Sequence, residues 1–376
     1  MTNFMERKKI IFLPGLRFHV ENYINYLDES FTIYIFTSSP KKLFLSEKFK
    51  YIFIPQPFKI ITRLLKIKSN TLFKLFDSIT YQIISSIIIF FINPSHIHAW
   101  GGYGFIIFKL FNRKKIILER SSSYELTQHT IIKNEYIKLG IRQIFNIKFN
   151  KLRFIEYYLC NNIVIPSSYV YETFPKNLRK KLNLIYPISK NLSTDFSHNY
   201  IDNNKPIVIG YVGGNIIVKG LFYLLNQFNN LKDPHKLYLK LDKSDYSNHK
   251  LFKNFIDNNK NIEVKKTDRN MSQFYNSVDC LIQPSVDDGF QMVIIEALSL
   301  GIPCFVSKFS GSKDLMENLL PENIFNPHSE SEIDNILSSL NKKKLNDQSQ
   351  KVKKNFNNLM ISINDSNQKN YKNILI

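Results

Sequence analysis

Short runs of β-branched and aromatic residues alternate along this chain with longer stretches of helical period. In the first half, residues 9–13, 31–36, 51–54, 96–99, 116–118 and 162–165 predict strands. In the second half, residues 207–212, 236–241, 261–264, 280–283 and 303–306 do the same. Between them, apolar positions recur at three- and four-residue spacing over 20–27, 73–91, 221–228 and 292–300, which predicts helices. The strands are apolar throughout rather than alternating, so both of their faces are expected to be buried. That pattern fits parallel sheets covered by helices on each side. Two such α/β units in tandem predict two Rossmann-like domains, with ligands at the carboxyl ends of the strands, in the cleft between the units. The polar, Pro-, Asn- and Ser-rich segment 187–206 reads as the linker. The expected organisation is a first domain over 1–190, a second over 205–340, and a polar helix with a tail over 341–376.

Two apolar segments bear on membranes. The longest greasy run, residues 83–92, holds two serines and is shorter than the roughly 20 residues of a span, so it predicts a buried helix. After Pro57, Ile60, Ile61, Leu64, Leu65 and Ile67 share one helical face, with Lys59, Arg63 and Lys66 on the other. That segment suits a surface helix docked on its own domain, or one lying on an anionic membrane.

Charge sharpens the division. The 376 residues carry 51 Lys and Arg against 31 Asp and Glu, a formal net charge of +20. The first 200 residues hold 29 basic and 12 acidic side chains, and the remainder 22 and 19. The first domain is therefore strongly basic and the second nearly neutral. Such a charge admits nucleic acid, an anionic membrane or a phosphorylated ligand as partner. At 44% hydrophobic residues the chain has the material for ordinary cores, which argues against intrinsic disorder. The three cysteines are far apart and form no Cys-x-x-Cys pair, which disfavours a disulfide scaffold and a structural zinc site. The apolar run that begins at Ile10 stops at Pro14, too short for a signal peptide. A cytoplasmic protein, soluble or peripheral on the inner membrane face, is expected.

The candidate chemistry lies in the second half. A predicted strand runs into Gly213-Gly214, with Lys219 a few residues on. Backbone without side chains can approach a phosphate closely, and a lysine supplies the counter-charge. The strand at 280–283 leads into Asp288-Gly289-Phe290-Gln291-Met292 and then a helix bearing Glu296. Free N–H groups at a helix start favour an anion. Asp288 and Glu296 stand eight positions apart, on nearly the same side, where carboxylates suit hydroxyl donors of a sugar and a ribose.

These strings, with Glu296-Ala297-Leu298, Gly301-Ile302-Pro303 and Ser310-Gly311-Ser312, resemble the retaining glycosyltransferases of family 4, the group 1 glycosyl transferases. The resemblance spans about 207–317. It continues in weaker form through His98-Ala99-Trp100-Gly101-Gly102, Leu118-Glu119-Arg120-Ser121-Ser122 and Ile163-Val164-Ile165-Pro166-Ser167. It implies the GT-B fold, a first domain for the acceptor and a second for the nucleotide-sugar donor. It also implies transfer with retention and no metal in donor binding, in keeping with the lack of any Asp-x-Asp string. By the same resemblance Glu296 would hold ribose hydroxyls and Asp288 the transferred sugar. Lys219 and the amides of Phe290, Gln291 and Met292 would hold the diphosphate, beside Gly213, Gly214 and Gly289. Asp288 and Lys219 are the candidate catalytic pair. Gly15, Arg17, His98, Trp100 and Arg120 are the candidate acceptor contacts, and Arg17 or Arg120 could replace the family's phosphate-binding arginine, whose place Gly214 takes. Gln291 stands where the family has glycine. The expected function is sugar transfer from a nucleoside-diphosphate sugar to a cell-surface glycan or lipid-linked acceptor. A weakened GT-B assembly partner, or a basic nucleic-acid binder, are the alternatives.

Overall fold

The computed structural model describes residues 7–13, 19–38, 49–57, 61, 71–141, 147–188, 205–231, 235–247, 249–265 and 271–376. The first half forms a seven-stranded, wholly parallel sheet from β1 (Lys8–Leu13), β2 (Phe31–Thr37), β3 (Phe49–Phe53), β4 (His96–Trp100), β5 (Lys115–Glu119), β6 (Asn162–Ile165) and β7 (Leu182–Leu184), in the order β3-β2-β1-β4-β5-β6-β7. The second half forms a six-stranded parallel sheet from β8 (Val208–Val212), β9 (Lys236–Lys240), β10 (Ile262–Lys265), β11 (Cys280–Gln283), β12 (Cys304–Ser307) and β13 (Ile324–Phe325), in the order β10-β9-β8-β11-β12-β13. Both orders reverse direction once, between β1 and β4 and between β8 and β11. A crevice opens at such a switch point because successive crossover helices leave on opposite faces. The glycine-rich turn follows β8 and the Asp288 loop follows β11, so both donor motifs sit at the switch.

The apolar strands are buried as their sequences require. Ile10 to Leu13, Ile97, Ile116, Ile117 and Leu118 are at most 1% exposed in the first sheet, and Ile209, Leu237, Leu239 and Leu281 are wholly buried in the second. Two short strands, β7 and β13, escape the hydrophobic pattern because three and two residues carry too little of it. The cysteines Cys160, Cys280 and Cys304 are free and buried.

The final helix, Lys342–Leu375, runs unbroken for 34 residues. Val352, Phe356, Met360 and Ile363 pack into the second-half core, and Tyr371, Ile374 and Leu375 into the first-half core beside Tyr23 and Trp100. Its last turn is held by tertiary burial, which a reading of its polar composition as a tail does not register. The greasy segment forms the helix Thr71–Ile92, and it is not simply buried: Phe90 and Phe91 are 72% and 80% exposed. The linker at 189–204 and most of the amphipathic segment at 57–67 lie outside the described residues.

Candidate active site

On the candidate donor side, β8 ends at Val212 and is followed by Gly213, whose φ of +141° suits glycine alone. The turn that follows brings Lys219 back over Gly213, with its side-chain carbons 3.6 Å from where a Cβ would stand. Gly220 (φ +69°) precedes the helix Leu221–Phe228, and a Cβ there would lie 1.9 Å from the Pro284 carbonyl oxygen. The absence of a side chain at Gly220 thus lets the two donor loops touch. Their joint is completed by the Val286 N–H donating to the Val218 carbonyl at 2.9 Å.

Across this joint the Lys219 ammonium pairs with the Asp288 carboxylate. The structure therefore brings Gly213, Lys219 and Asp288 together. Gly214 lies in the same turn. Glu296 sits on the helix Met292–Ser299 that opens where the Asp288 loop ends, and accepts a hydrogen bond from the Tyr275 hydroxyl at 2.6 Å. Burial and then this carboxylate push the Tyr275 phenol well above its ordinary range, so it is a fixed donor.

Gln291 has a different role from the glycine it replaces. Its amide donates to Ser285 Oγ at 2.7 Å and accepts from Ser310 Oγ at 3.1 Å, while its backbone N–H donates to Ser312 Oγ at 3.0 Å. The side chain is buried and fills the loop. Of the three amides predicted to hold a diphosphate, that of Gln291 is thus taken by Ser312. Phe290 turns its ring edge toward Tyr186, centroids 6.1 Å apart. Gly289 lies against the first domain, where a Cβ would come within 2.0 Å of the Ser121 carbonyl oxygen.

Three of the five candidate acceptor residues, His98, Trp100 and Arg120, are buried and engaged within the protein. His98 is wholly buried, its Nδ1 shares a proton with the Tyr371 hydroxyl at 2.9 Å, and its ring stacks on Trp100 at 5.1 Å and 11°. Trp100 is 2% exposed. Both lie beneath Tyr23 and the last helix, because β4 is an interior strand and its end is roofed by that helix. Arg120 also turns inward. Its guanidinium donates to the Ser123 carbonyl at 3.0 and 2.5 Å and to Gln128 Oε1 at 3.1 Å, and it pairs with Glu125 at 2.9 Å. These contacts hold the loop after β5. Gly15 and Arg17 lie outside the described residues.

Most of the residues that join the two halves receive no role from the sequence. Asp287, 3% exposed, accepts from Tyr169 OH at 2.8 Å, from Gln128 Nε2 at 2.8 Å and from Ser123 Oγ, all in the first domain. Ser167 Oγ donates to the Gly289 carbonyl at 2.8 Å, and Asp314 accepts from the N–H and hydroxyl of Ser168 at 2.7 and 2.5 Å. Farther out, Glu135 accepts from Tyr223 OH at 2.6 Å and meets His328 Nε2 at 2.7 Å. Burial opposes the Glu135 charge, but these two partners outweigh it and hold its carboxyl below the usual range. The doubled acid Asp287-Asp288 was the available signal: one faces the donor turn, the other the first domain. At the foot of the first-domain side, a small cavity is lined by Asn22, Tyr23, Glu119, Ser121, Pro166 and Tyr186. Among the described residues no cluster of three or more His, Cys, Asp or Glu side chains could hold a metal ion.

With this geometry in place, comparison with known proteins is direct. Residues 194–358 match the family model of glycosyl transferases group 1. The capsular polysaccharide biosynthesis glycosyltransferase CapM of Staphylococcus aureus is 26% identical over 179 residues, 42% of this chain and 45% of that protein, so the match spans less than half of this curated relative. Among solved structures, sucrose-phosphate synthase from Thermosynechococcus elongatus superposes with a TM-score of 0.66 at 12% identity, covering 98% of this chain and 95% of that one. Anabaena HepE in complex with UDP and glucose superposes with a TM-score of 0.61 at 13% identity, covering 96% and 98%. The chain has the GT-B fold, and its second half matches the glycosyl transferases group 1.

Proposed function

We propose that the protein is a metal-independent, retaining glycosyltransferase of family 4, moving a hexose from a nucleoside-diphosphate sugar to a cell-surface glycan or lipid-linked acceptor. The observation that carries the proposal is the Lys219–Asp288 pair over Gly213, at the switch point of the second sheet, with Glu296 on the helix that follows. An ion pair at a cleft is an exchangeable arrangement. When a diphosphate enters, Lys219 turns to its oxygens, and Asp288 is released to accept from a sugar hydroxyl. The chemical need is met at the leaving group: negative charge grows on the departing diphosphate, and a lysine with backbone donors in a water-poor cleft stabilises it. Holding donor and acceptor in one closed cleft supplies the rest. Glu296 accepts from ribose hydroxyls, with Tyr275 fixing its orientation.

HepE, of the same fold, is described with UDP and glucose, and CapM acts in capsular polysaccharide biosynthesis; both support a nucleotide-sugar donor and a surface-glycan product. The basic first half is the side that meets an anionic bilayer or a phosphorylated lipid acceptor, at the cytoplasmic face of the membrane. Nucleic acid is not a partner in this reading. A thermal-shift screen of UDP-, GDP-, ADP- and CMP-sugars tests it, since a ligand of the folded state raises Tm by mass action. One nucleotide is expected to stand out. Lys219→Ala and Glu296→Ala are each expected to abolish that shift and sugar transfer. No shift with any of the four, and no transfer, would sink the proposal.

A further inference from the structure

The helix Thr71–Ile92 has two unlike faces. Its inward face mixes the buried polar residues Asp77, Ser78, Gln82, Ser85 and Ser86 with the buried Tyr81 and Ile89, which belong to the first-half core. The domain holds this face by apolar packing and by hydrogen bonds: Ser78 Oγ donates to the Gly102 carbonyl at 2.7 Å and the Ile106 N–H to Gln82 Oε1 at 2.9 Å, while Ser86 Oγ donates within the helix to the Gln82 carbonyl at 2.8 Å. The outward face carries Ile83, Ile87, Phe90 and Phe91, which are 49%, 57%, 72% and 80% exposed. Steps of four and three residues put these on one stripe. Leu110, 62% exposed, extends it on the adjoining helix Phe105–Leu110. Together they offer on the order of 500 Å² of apolar surface, as much as the largest patch of an ordinary soluble monomer. A surface helix facing water carries polar residues on its outer face instead. The stripe calls for an apolar partner.

Charge identifies which one. Between Ser78 and Leu118 the chain has no acidic residue but carries Lys109, Arg113, Lys114 and Lys115. Lys114 Nζ donates to Asn93 Oδ1 at 2.6 Å, which pins a cation just past the end of the helix, two residues beyond Phe91 in the chain. An apolar stripe rimmed by cations complements the boundary between anionic headgroups and acyl chains. The 18 residues Leu75–Ile92, with a mean hydropathy of 1.8, have the length and composition of a span. A spanning helix, however, would set Asp77, Ser78 and Gln82 against lipid and strip the bonds that Ser78 and Gln82 make to the rest of the domain. That pattern fits a helix lying along a membrane and not one crossing it.

We propose that the outward face of this helix, Ile83, Ile87, Phe90 and Phe91 with Leu110 and the cations Lys109, Arg113 and Lys114, is the surface by which the protein docks on an anionic lipid bilayer. The proposal rests on the reading of the basic half as the membrane side and gives that side an address.

The test is flotation of the full chain with phosphatidylglycerol–phosphatidylcholine vesicles and with pure phosphatidylcholine vesicles. The wild-type protein floats with the first and much less with the second. The double variant Phe90→Ser/Phe91→Ser lowers binding by roughly tenfold or more. Lys109→Glu/Lys114→Glu lowers it by a similar factor at low salt and removes the preference for anionic lipid. Both variants keep the wild-type Tm and nucleotide-sugar shift, so their effect is separate from donor binding. Wild-type protein that stays with the unbound fraction overturns the proposal. So does a Phe90→Ser/Phe91→Ser variant that floats like wild type. A wild-type dimer in solution that this variant splits into monomers also overturns it, because a second copy then covers the stripe.

Discussion

Asp287 is the residue whose removal tests the joining of the two halves most directly. Its carboxylate is buried and takes three donors from the first domain: the hydroxyls of Ser123 and Tyr169 and the amide of Gln128. Hydrogen bonds to a charged acceptor contribute about 1.5–3 kcal/mol each, and removing the acceptor strands all three donors out of water. Some relaxation and water entry follow, so the net loss for Asp287→Ala is about 3–5 kcal/mol, as for other broken buried charge networks. Asp287→Asn is milder, about half as costly, since its carbonyl still accepts from the hydroxyls. Its NH2 then faces the NH2 of Gln128, and Gln128 cannot simply flip, because its Oε1 already accepts from Arg120.

The chain contains one tryptophan, Trp100, buried in the first half beneath the end of the last helix, so its fluorescence reports that half with its helical cover while far-UV circular dichroism reports both halves. In urea the wild-type traces are expected to coincide, and those of Asp287→Ala to separate as the halves lose their coupling. Coincident Asp287→Ala transitions within about 1 kcal/mol of wild type would refute the account of the interface.

Other consequences are as direct. Glu156 is 1% exposed, and burial pushes its carboxyl up to about 7 against the pull of the Gly102 and Gly104 amides. The folded state then holds this proton longer than the unfolded chain. Its stabilisation is complete below the ordinary value of 4.5 and is lost as pH rises through about 7, a change of roughly 3 kcal/mol. Urea titrations at stepped pH measure it, and Glu156→Gln is expected to flatten that slope. Gly289→Ala puts a methyl group into the Ser121 carbonyl and is expected to push the domains apart, costing about 1–3 kcal/mol and raising the radius of gyration by X-ray scattering. Tyr371→Phe leaves the buried His98 Nδ1 without its partner and is expected to lower stability by about 1–2 kcal/mol in the same urea assay.

The strands and the donor loops were legible because their causes are local. An apolar run such as Cys280–Gln283 reads as a buried strand wherever it stands, and its boundaries agree with the structure. Glycines at forced turns likewise announce themselves, and Gly213 and Gly220 sit where only glycine fits. The acceptor side was not legible in this way. His98 and Trp100 end a strand, and a strand end normally points into the cleft, but a helix from more than 270 residues away roofs them. Arg120 presents the chemistry of a phosphate ligand, yet Glu125 and the Ser123 carbonyl claim it first. The exposed apolar face of Thr71–Ile92 escaped for a related reason. Composition marks the helix as apolar but does not say which side the fold will cover.

The last helix has a consequence for how the molecule comes into being. His98 meets Tyr371 across 273 positions, and His96 Nε2 meets the Leu375 carbonyl across 279. Closing a loop of that length costs about 5 kcal/mol of chain entropy, so these contacts form late. Domains of a long chain usually settle in the order of their synthesis. Tyr23, His98 and Trp100 of the first half therefore stay uncovered during synthesis until residues 371–375 are made. Removal of residues 365–376 would strike first at the half that is made first.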